Sequence, residues 1–232
     1  MIPHQYPEIR ALDLFAGMAD EHYQTLIRGA YVQNFPPQID LIREGDPADF
    51  LHVVIEGSVE LYATWNGRET TLATMMPVST FILAATIKDG PYLMSARTLD
   101  KARVVLLPSV DVRAVFEKDA EFARHIVVEL AQCYRSVVKS SKDLKLRTSV
   151  ERLANYLLRQ QRAQGGSHEF SLRIEKRKLA SYLGMTAENL SRAIKTLRQY
   201  GVVFDGSAVT ITDSDDLTAF AKPSPLIDYP RT

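Results

Sequence analysis

The sequence predicts an α+β fold in three parts: an antiparallel β-roll, one long helix, and a small helical domain closed by a β-hairpin. Three observations carry this reading. Between about residues 31 and 108, short β-branched or alternating runs are broken by turn formers. Between about 110 and 146 the pattern changes to helical periodicity. From 175 to 211, two short amphipathic segments flank Gly184-Met185 and lead to alternating runs around Asp205-Gly206.

Residues 8–30 read as short helical pieces with Leu12, Leu14, Phe15, Leu26 and Ile27 as their apolar positions. The strands follow. Leu51-His52-Val53-Val54-Ile55 leads through Glu56-Gly57 to Ser58-Val59-Glu60-Leu61-Tyr62, and Asn66-Gly67 supplies a two-residue hairpin turn before Thr70-Thr71-Leu72. Val104-Val105-Leu106-Leu107 ends the set at Pro108.

In the long helix, Phe122, Ile126, Leu130, Cys133, Val137 and Leu144 form a seam with steps of 4, 4, 3, 4 and 7, and Ser140 fills the missing step. A period near 3.5 suits either a partner helix or the chain's own domain, and the length of the helix favours a partner. The expected boundaries are therefore 1–109 for the roll, 110–146 for a dimerisation helix, 147–221 for the helical domain and 222–232 for a flexible tail.

A 232-residue chain that is 46% hydrophobic has room for one large or two modest domains. No apolar run reaches the ~18 residues that cross a membrane, and the start Met1-Ile2-Pro3-His4 lacks a signal segment. The expectation is a cytoplasmic protein with no membrane partner. Cys133 is the sole cysteine, which excludes a disulfide framework and an iron–sulfur cluster held by four thiolates of one chain. No nucleophile elbow, P-loop or HExxH motif is present, so an enzyme is not expected.

The zero net charge hides a division. Residues 1–134 carry 11 Lys+Arg against 18 Asp+Glu (−7), and residues 135–232 carry 17 against 10 (+7). Within 135–204 the balance is 15 against 5 (+10). Such a half is either a solvated basic face or the side that meets a polyanion.

The segment after 175 favours the polyanion. Glu175 to Leu183 reads as a helix with Leu179, Ala180 and Leu183 inward, Gly184-Met185 as a turn, and Thr186 as the N-cap of a second helix. That helix buries Leu190, Ala193, Ile194 and Leu197, and Val202 to Ile211 follow as a wing. This order describes a winged helix-turn-helix. Glu188, Ser191 and Arg192 fall at i, i+3 and i+4 and share a face. Arg offers a bidentate fork to guanine, Glu accepts from cytosine N4, and Ser bonds either way. Lys178, Thr186, Asn189 and Lys195 are the expected phosphate contacts. The competing account is an ordinary capped surface helix with a Glu-to-Arg ion pair.

Over nearly its whole length the chain resembles the CRP/FNR family of bacterial regulators. Gly45-Asp46, Asp49, Leu51, Val53 and Gly57-Ser58-Val59 are similar to that family's cyclic-nucleotide-binding-like jelly roll. Leu179 to Arg192 is similar to its helix-turn-helix, with the Glu-x-x-Ser-Arg spacing of the FNR-type recognition helix. The resemblance implies a homodimer on double-stranded DNA, an inverted repeat with TTG-type half-sites, and RNA polymerase as a further partner.

It also bears on the effector. Aligned on the proline, Ile82-Leu83 stands where cyclic-nucleotide-binding members have Gly-Glu, and Tyr92 stands where they have the phosphate-binding Arg. Arg97 lies out of register. A buried cyclic phosphate without a cation is costly, which argues against cyclic AMP. Phe81, Leu83, Tyr92 and Met94 are either plain core or the lining of an effector pocket. The stretches Thr80–Ala85 and Pro91–Leu99 are similar to the nitrogen-oxide-responsive (NnrR/DNR-like) branch tied to denitrification, which implies a nitric oxide signal with haem as a candidate cofactor. Candidate iron ligands are His4, His22, His52, His125 and Cys133, none at diagnostic spacing. The rival reading is a cyclic-nucleotide-responsive signalling module.

Overall fold

The computed structural model describes residues 7–172 and 174–229, so His4 lies outside them. The chain divides into two compact units with their boundary between Cys133 and Tyr134.

The first unit opens with α1 (Pro7–Arg10), a 3₁₀ turn (Asp13–Phe15) and α2 (Asp20–Arg28). Strands β1 (Tyr31–Phe35), β2 (Asp40–Ile42), β3 (Phe50–Glu56), β4 (Val59–Trp65), β5 (Arg68–Met75) and β6 (Ser79–Phe81) precede α3 (Leu83–Lys88). Strands β7 (Ser95–Thr98) and β8 (Ala102–Pro108) and helix α4 (Ser109–Phe116) follow. The strands form two four-stranded sheets, ordered β1-β8-β3-β6 and β2-β7-β4-β5, with antiparallel pairing throughout. This is the jelly roll of the expected α+β fold. At the β4–β5 hairpin Trp65 pairs with Arg68, and both turn residues have positive φ (Asn66 49°, Gly67 72°). That conformation is why an Asn-Gly pair sits there.

β3 is buried on both faces, which explains its unbroken apolar run. Leu51, Val53 and Ile55 pack with Ile9, Leu26, Val105, Leu107 and Val112 in a core under the helices. Val54 faces the interior of the roll with Ile42, Val59, Leu61, Phe81, Tyr92 and Ala96. Alternation along the strand sends successive side chains to the two cores.

The long helix is shorter than expected. It begins at Ala120 and runs to Leu146 as α5, roughly 40 Å, and α4 is a separate helix. The break lies at Asp119, whose buried carboxylate accepts the amides of Phe122 and Ala19 (both 2.9 Å) and bonds Nδ1 of His22 (2.8 Å). Asp119 starts a new helix because it satisfies an orphan amide of the first turn.

The second unit contains α6 (Ser149–Ala163), β9 (Glu169–Ser171), α7 (Lys176–Tyr182), α8 (Ala187–Leu197) and a 3₁₀ turn (Arg198–Tyr200). Strands β10 (Val202–Asp205) and β11 (Ala208–Ile211) and helices α9 (Ser214–Ala221) and α10 (Pro225–Asp228) complete it. Thr148 and Glu151 form a reciprocal capping box at the start of α6. Leu153, Leu157, Leu179, Leu190, Leu197, Val209 and Leu217 are among its core residues. The wing is three-stranded rather than two-stranded, because β9 also pairs with β11.

The expected flexible tail is corrected through residue 229. Pro225 starts α10, and the buried carboxylate of Asp228 accepts from Arg147 (2.9 and 2.6 Å), Arg159 (2.6 Å) and the Ser224 amide (2.7 Å). The three prolines suggested a segment without packing, but two arginines from the helical domain anchor it.

Candidate nucleic-acid interface and sensor site

Helix α8 is divided sharply into two faces. Leu190, Ala193 and Leu197 are buried, whereas Glu188, Asn189, Ser191, Arg192 and Lys195 are exposed. Thr186 caps the helix, its Oγ1 accepting the Asn189 amide at 3.1 Å. The hydroxyl keeps its own proton, so it can still donate to a phosphate. Glu188, Ser191 and Arg192 lie together on the first two turns. In the free protein they are already engaged: Arg192 meets Glu188 Oε1 and Asn189 Oδ1, both at 3.0 Å, and Ser191 donates to the Ala187 carbonyl at 3.0 Å. Lys178 is half-buried on α7.

The turn before α8 depends on residues that periodicity does not flag. Gly184 has φ +62°, and a Cβ there would meet Leu144 Cδ2 at 2.5 Å. Arg152, buried in α6, donates to the carbonyls of Leu183 (2.9 Å), Gly184 (3.4 Å) and Arg147 (2.7 Å). It thereby satisfies carbonyls left open where α7 ends. In the sequence Arg152 looks like one more basic surface residue. Its only signal is its place beside Leu153-Ala154 on the inward side of an amphipathic helix.

The seam on α5 needs correction. Phe122 and Ile126 are fully buried in the first unit's own core, and Leu130 packs partly against that core, so these positions are taken within the chain. Leu144 lies against the Gly184 turn. Cys133 and Val137 are exposed. The apolar residues the helix leaves exposed include Val127, Val128, Tyr134, Val137, Val138, Leu144 and Leu146, joined by Ala131. Positions 127, 131, 134 and 138 share a face about 130° around from Phe122 and Ile126.

The four effector-pocket candidates do not line one cavity. Leu83 belongs to the core under the helices, and Phe81 and Tyr92 belong to the roll interior with Met94 at its margin. Ile82 holds a left-handed conformation (φ 70°) at the position aligned with the family's glycine, which is strained for a β-branched residue. No carboxylate stands at Leu83. Arg97 lies on the face of β7 opposite the buried Ala96, where it is held by Glu60 (Nε 3.1 Å, Nη2 2.9 Å) and Glu69 (Nη1 3.1 Å) and stacks over Tyr62. The residues present do not fit a cyclic nucleotide.

The candidate iron ligands do not converge either. His22 is bound to Asp119, and His125 Nε2 contacts Arg124 at 2.8 Å. His52 points into the roll, stacked on Phe81. Among the described residues no group of three or more His, Cys, Asp or Glu could hold a metal ion.

A sensor-type roll followed by a winged helix-turn-helix, with its recognition helix bare on one side, defines a transcription regulator. Residues 32–119 match the cyclic nucleotide-binding domain family, and residues 151–220 match the Crp-like helix-turn-helix domain family. The chain is similar to the CRP-like cAMP-activated global transcriptional regulator of Mycobacterium tuberculosis, with 25% identity over 90% of this chain and 96% of that one. It is also similar to the transcriptional activator protein anr of Pseudomonas aeruginosa, with 25% identity over 78% and 76%. The structure of FixK2 from Bradyrhizobium japonicum shares the fold, with a TM-score of 0.70 and 23% identity over 84% and 98%. The chain belongs to the CRP/FNR family of transcription regulators.

Proposed function

We propose that this regulator acts as a homodimer, reading an inverted repeat with TTG-type half-sites through Glu188, Ser191 and Arg192, in response to a signal other than cyclic AMP. The observation that carries the proposal is the single exposed face of α8. Its first two turns present a carboxylate, a hydroxyl and a guanidinium, and its opposite face is closed by Leu190, Ala193 and Leu197. Those three groups match donors and acceptors of base edges in the major groove, with Thr186, Asn189, Lys178 and Lys195 as phosphate contacts.

Dimerisation falls to the uncovered face of α5 at Val127, Ala131, Tyr134 and Val138, whose 4-3-4 spacing suits a helix partner. Two recognition helices related by that axis meet half-sites one helical turn apart. Contact with RNA polymerase follows from the same family behaviour. The relative from M. tuberculosis is cAMP-activated by name. Here the carboxylate and free guanidinium that a cyclic nucleotide needs are missing, which supports a different effector. Signal transfer runs along α5, with Phe122 and Ile126 in one core and Leu144 against the turn before α8.

Fluorescence anisotropy with labelled duplexes tests the reading. The full chain should bind an inverted TTG repeat at least ~10³-fold more tightly than a scrambled duplex at equal salt. Equal affinity for both duplexes would remove the sequence-specific claim. Unchanged occupancy of that repeat over a cyclic AMP titration is the matching expectation for the effector, and strong enhancement would contradict it.

A further inference from the structure

We propose that the first unit carries a binding cleft for a small organic cation, a protonated primary amine with an apolar body. The cleft encloses about 380 Å³ at one end of the roll. Its walls are Phe35, Phe50, Leu41, Ile42 and Leu106; its polar groups include Asp40, Asp46, Asp49, His52 and Tyr92, and no lysine or arginine lines it. A phosphate would meet three carboxylates there without a compensating cation, which is the reverse of what an anion requires. Arg43 approaches Asp40 from outside the cleft at 3.9 Å, and Asp40 also accepts from Tyr62 at 3.0 Å. Asp46 and Asp49 are exposed at the mouth, and their charges reach the Tyr92 phenol, whose pKa is raised first by burial and also by them.

The second observation is His52. Its side chain is 3% exposed, and its Nδ1 lies 3.1 Å from the Phe50 carbonyl. A carbonyl only accepts, so Nδ1 carries the proton. Burial holds the ring pKa down at about 4, so at neutral pH the imidazole is uncharged and Nε2 has a bare lone pair. Among the described residues no protein donor hydrogen-bonds Nε2 of this ring, which lines the cleft. An ammonium group supplies what this arrangement lacks: an N–H for Nε2 and a positive charge for the carboxylates. The rings of Phe35, Phe50 and Tyr92 line the same cleft and supply aromatic surface for the cation and its hydrocarbon part.

Calorimetric titration of the full chain with phenethylamine, and with its isosteric anion 3-phenylpropionate, tests the assignment. Phenethylamine should bind saturably and 3-phenylpropionate should not. The exposed double substitution Asp46→Asn/Asp49→Asn should weaken amine binding about tenfold or more without altering the fold by circular dichroism, and His52→Leu should do the same. N,N,N-trimethylphenethylammonium, which lacks an N–H, should bind about tenfold more weakly than the primary amine. Absence of saturable amine binding to the wild-type chain would overturn the proposal. So would equal binding of the anion, or full affinity in the double variant.

Discussion

Glu188 and Arg192 form an i,i+4 ion pair at 3.0 Å on the open face of α8, with both side chains mostly exposed. In the free protein the two groups assigned to opposite bases satisfy each other. An exposed pair of this kind contributes only about 0.3–0.5 kcal/mol. Opening it to contact bases therefore costs little beside the ~1–3 kcal/mol that a bidentate base contact discriminates. Arg192→Ala should lower specific affinity by about 1–3 kcal/mol and relax preference at the guanine. Its melting temperature should barely move. Unchanged discrimination between matched and mismatched duplexes would remove Arg192 from the reading face.

Arg152 acts behind that face. Its guanidinium serves three backbone carbonyls at the end of α7 and the start of α6, at 2.7–3.4 Å. Arg152→Met keeps most of the volume and removes the donors, leaving buried acceptors unsatisfied at about 1–3 kcal/mol each. Chemical denaturation should show a loss of several kcal/mol, with DNA affinity falling in parallel. Wild-type stability in this variant would show that water or a shifted backbone replaces the guanidinium.

Asp119 and Asp228 should make stability depend on acid pH. Burial raises the carboxyl pKa of Asp119, but the Phe122 amide, the His22 ring and the Ala19 amide outweigh it and hold the group at about 2. For Asp228 burial is likewise outweighed, chiefly by Arg147 and the Ser224 amide, and the pKa is lowered. A folded pKa below the unfolded value of ~3.9 gives stability that is present above that value and lost as pH falls through the folded pKa. Asp119→Asn should therefore be less stable than wild type at pH 6, and the gap should close between about pH 4 and pH 2. A gap independent of pH would assign the loss to packing instead. Asp228→Ala, which strands the buried Arg147, should cost about 3–5 kcal/mol near neutral pH.

Ile82 offers a test in which glycine should outperform alanine. Its φ of 70° is strained for any side chain with a Cβ. Ile82→Ala loses the packing and keeps the strain, whereas Ile82→Gly loses the packing and releases it. Thermal denaturation should find the glycine variant at least as stable as the alanine variant. The ordinary order, with glycine ~1 kcal/mol worse, would mean the strain is negligible.

Much of this architecture is legible in the sequence because local rules and tertiary packing agree there. Asn66-Gly67 announces its hairpin, Thr186 its helix start, and the spacing of Leu190, Ala193 and Leu197 the buried side of α8. The misses arise where a local pattern is shared by two structures. Phe122 and Ile126 fit a dimer seam and a domain core equally well, because a 3.5-residue repeat drifts around a 3.6-residue helix and says nothing of which neighbour is nearer. Asp119 interrupts a helix without proline or glycine, through bonds to residues as distant as Ala19 and His22. The docking of Asp228 is equally non-local, and Leu83 parts from Phe81 because the left-handed turn at Ile82 ends β6 and starts α3 between them. The cleft at His52 could not be read from spacing, since its lining residues come from five separate stretches of the chain.

The central claim is that Arg192 reads guanine in the groove. A double-substitution cycle tests it most directly, pairing Arg192→Ala with 7-deazaguanine in the TTG half-site, which removes only the N7 acceptor. Anisotropy should show that the modified base weakens the wild-type protein by about tenfold and leaves the variant's affinity unchanged. Equal penalties in both proteins would mean that Arg192 does not contact that base, and the recognition face would have to be sought elsewhere.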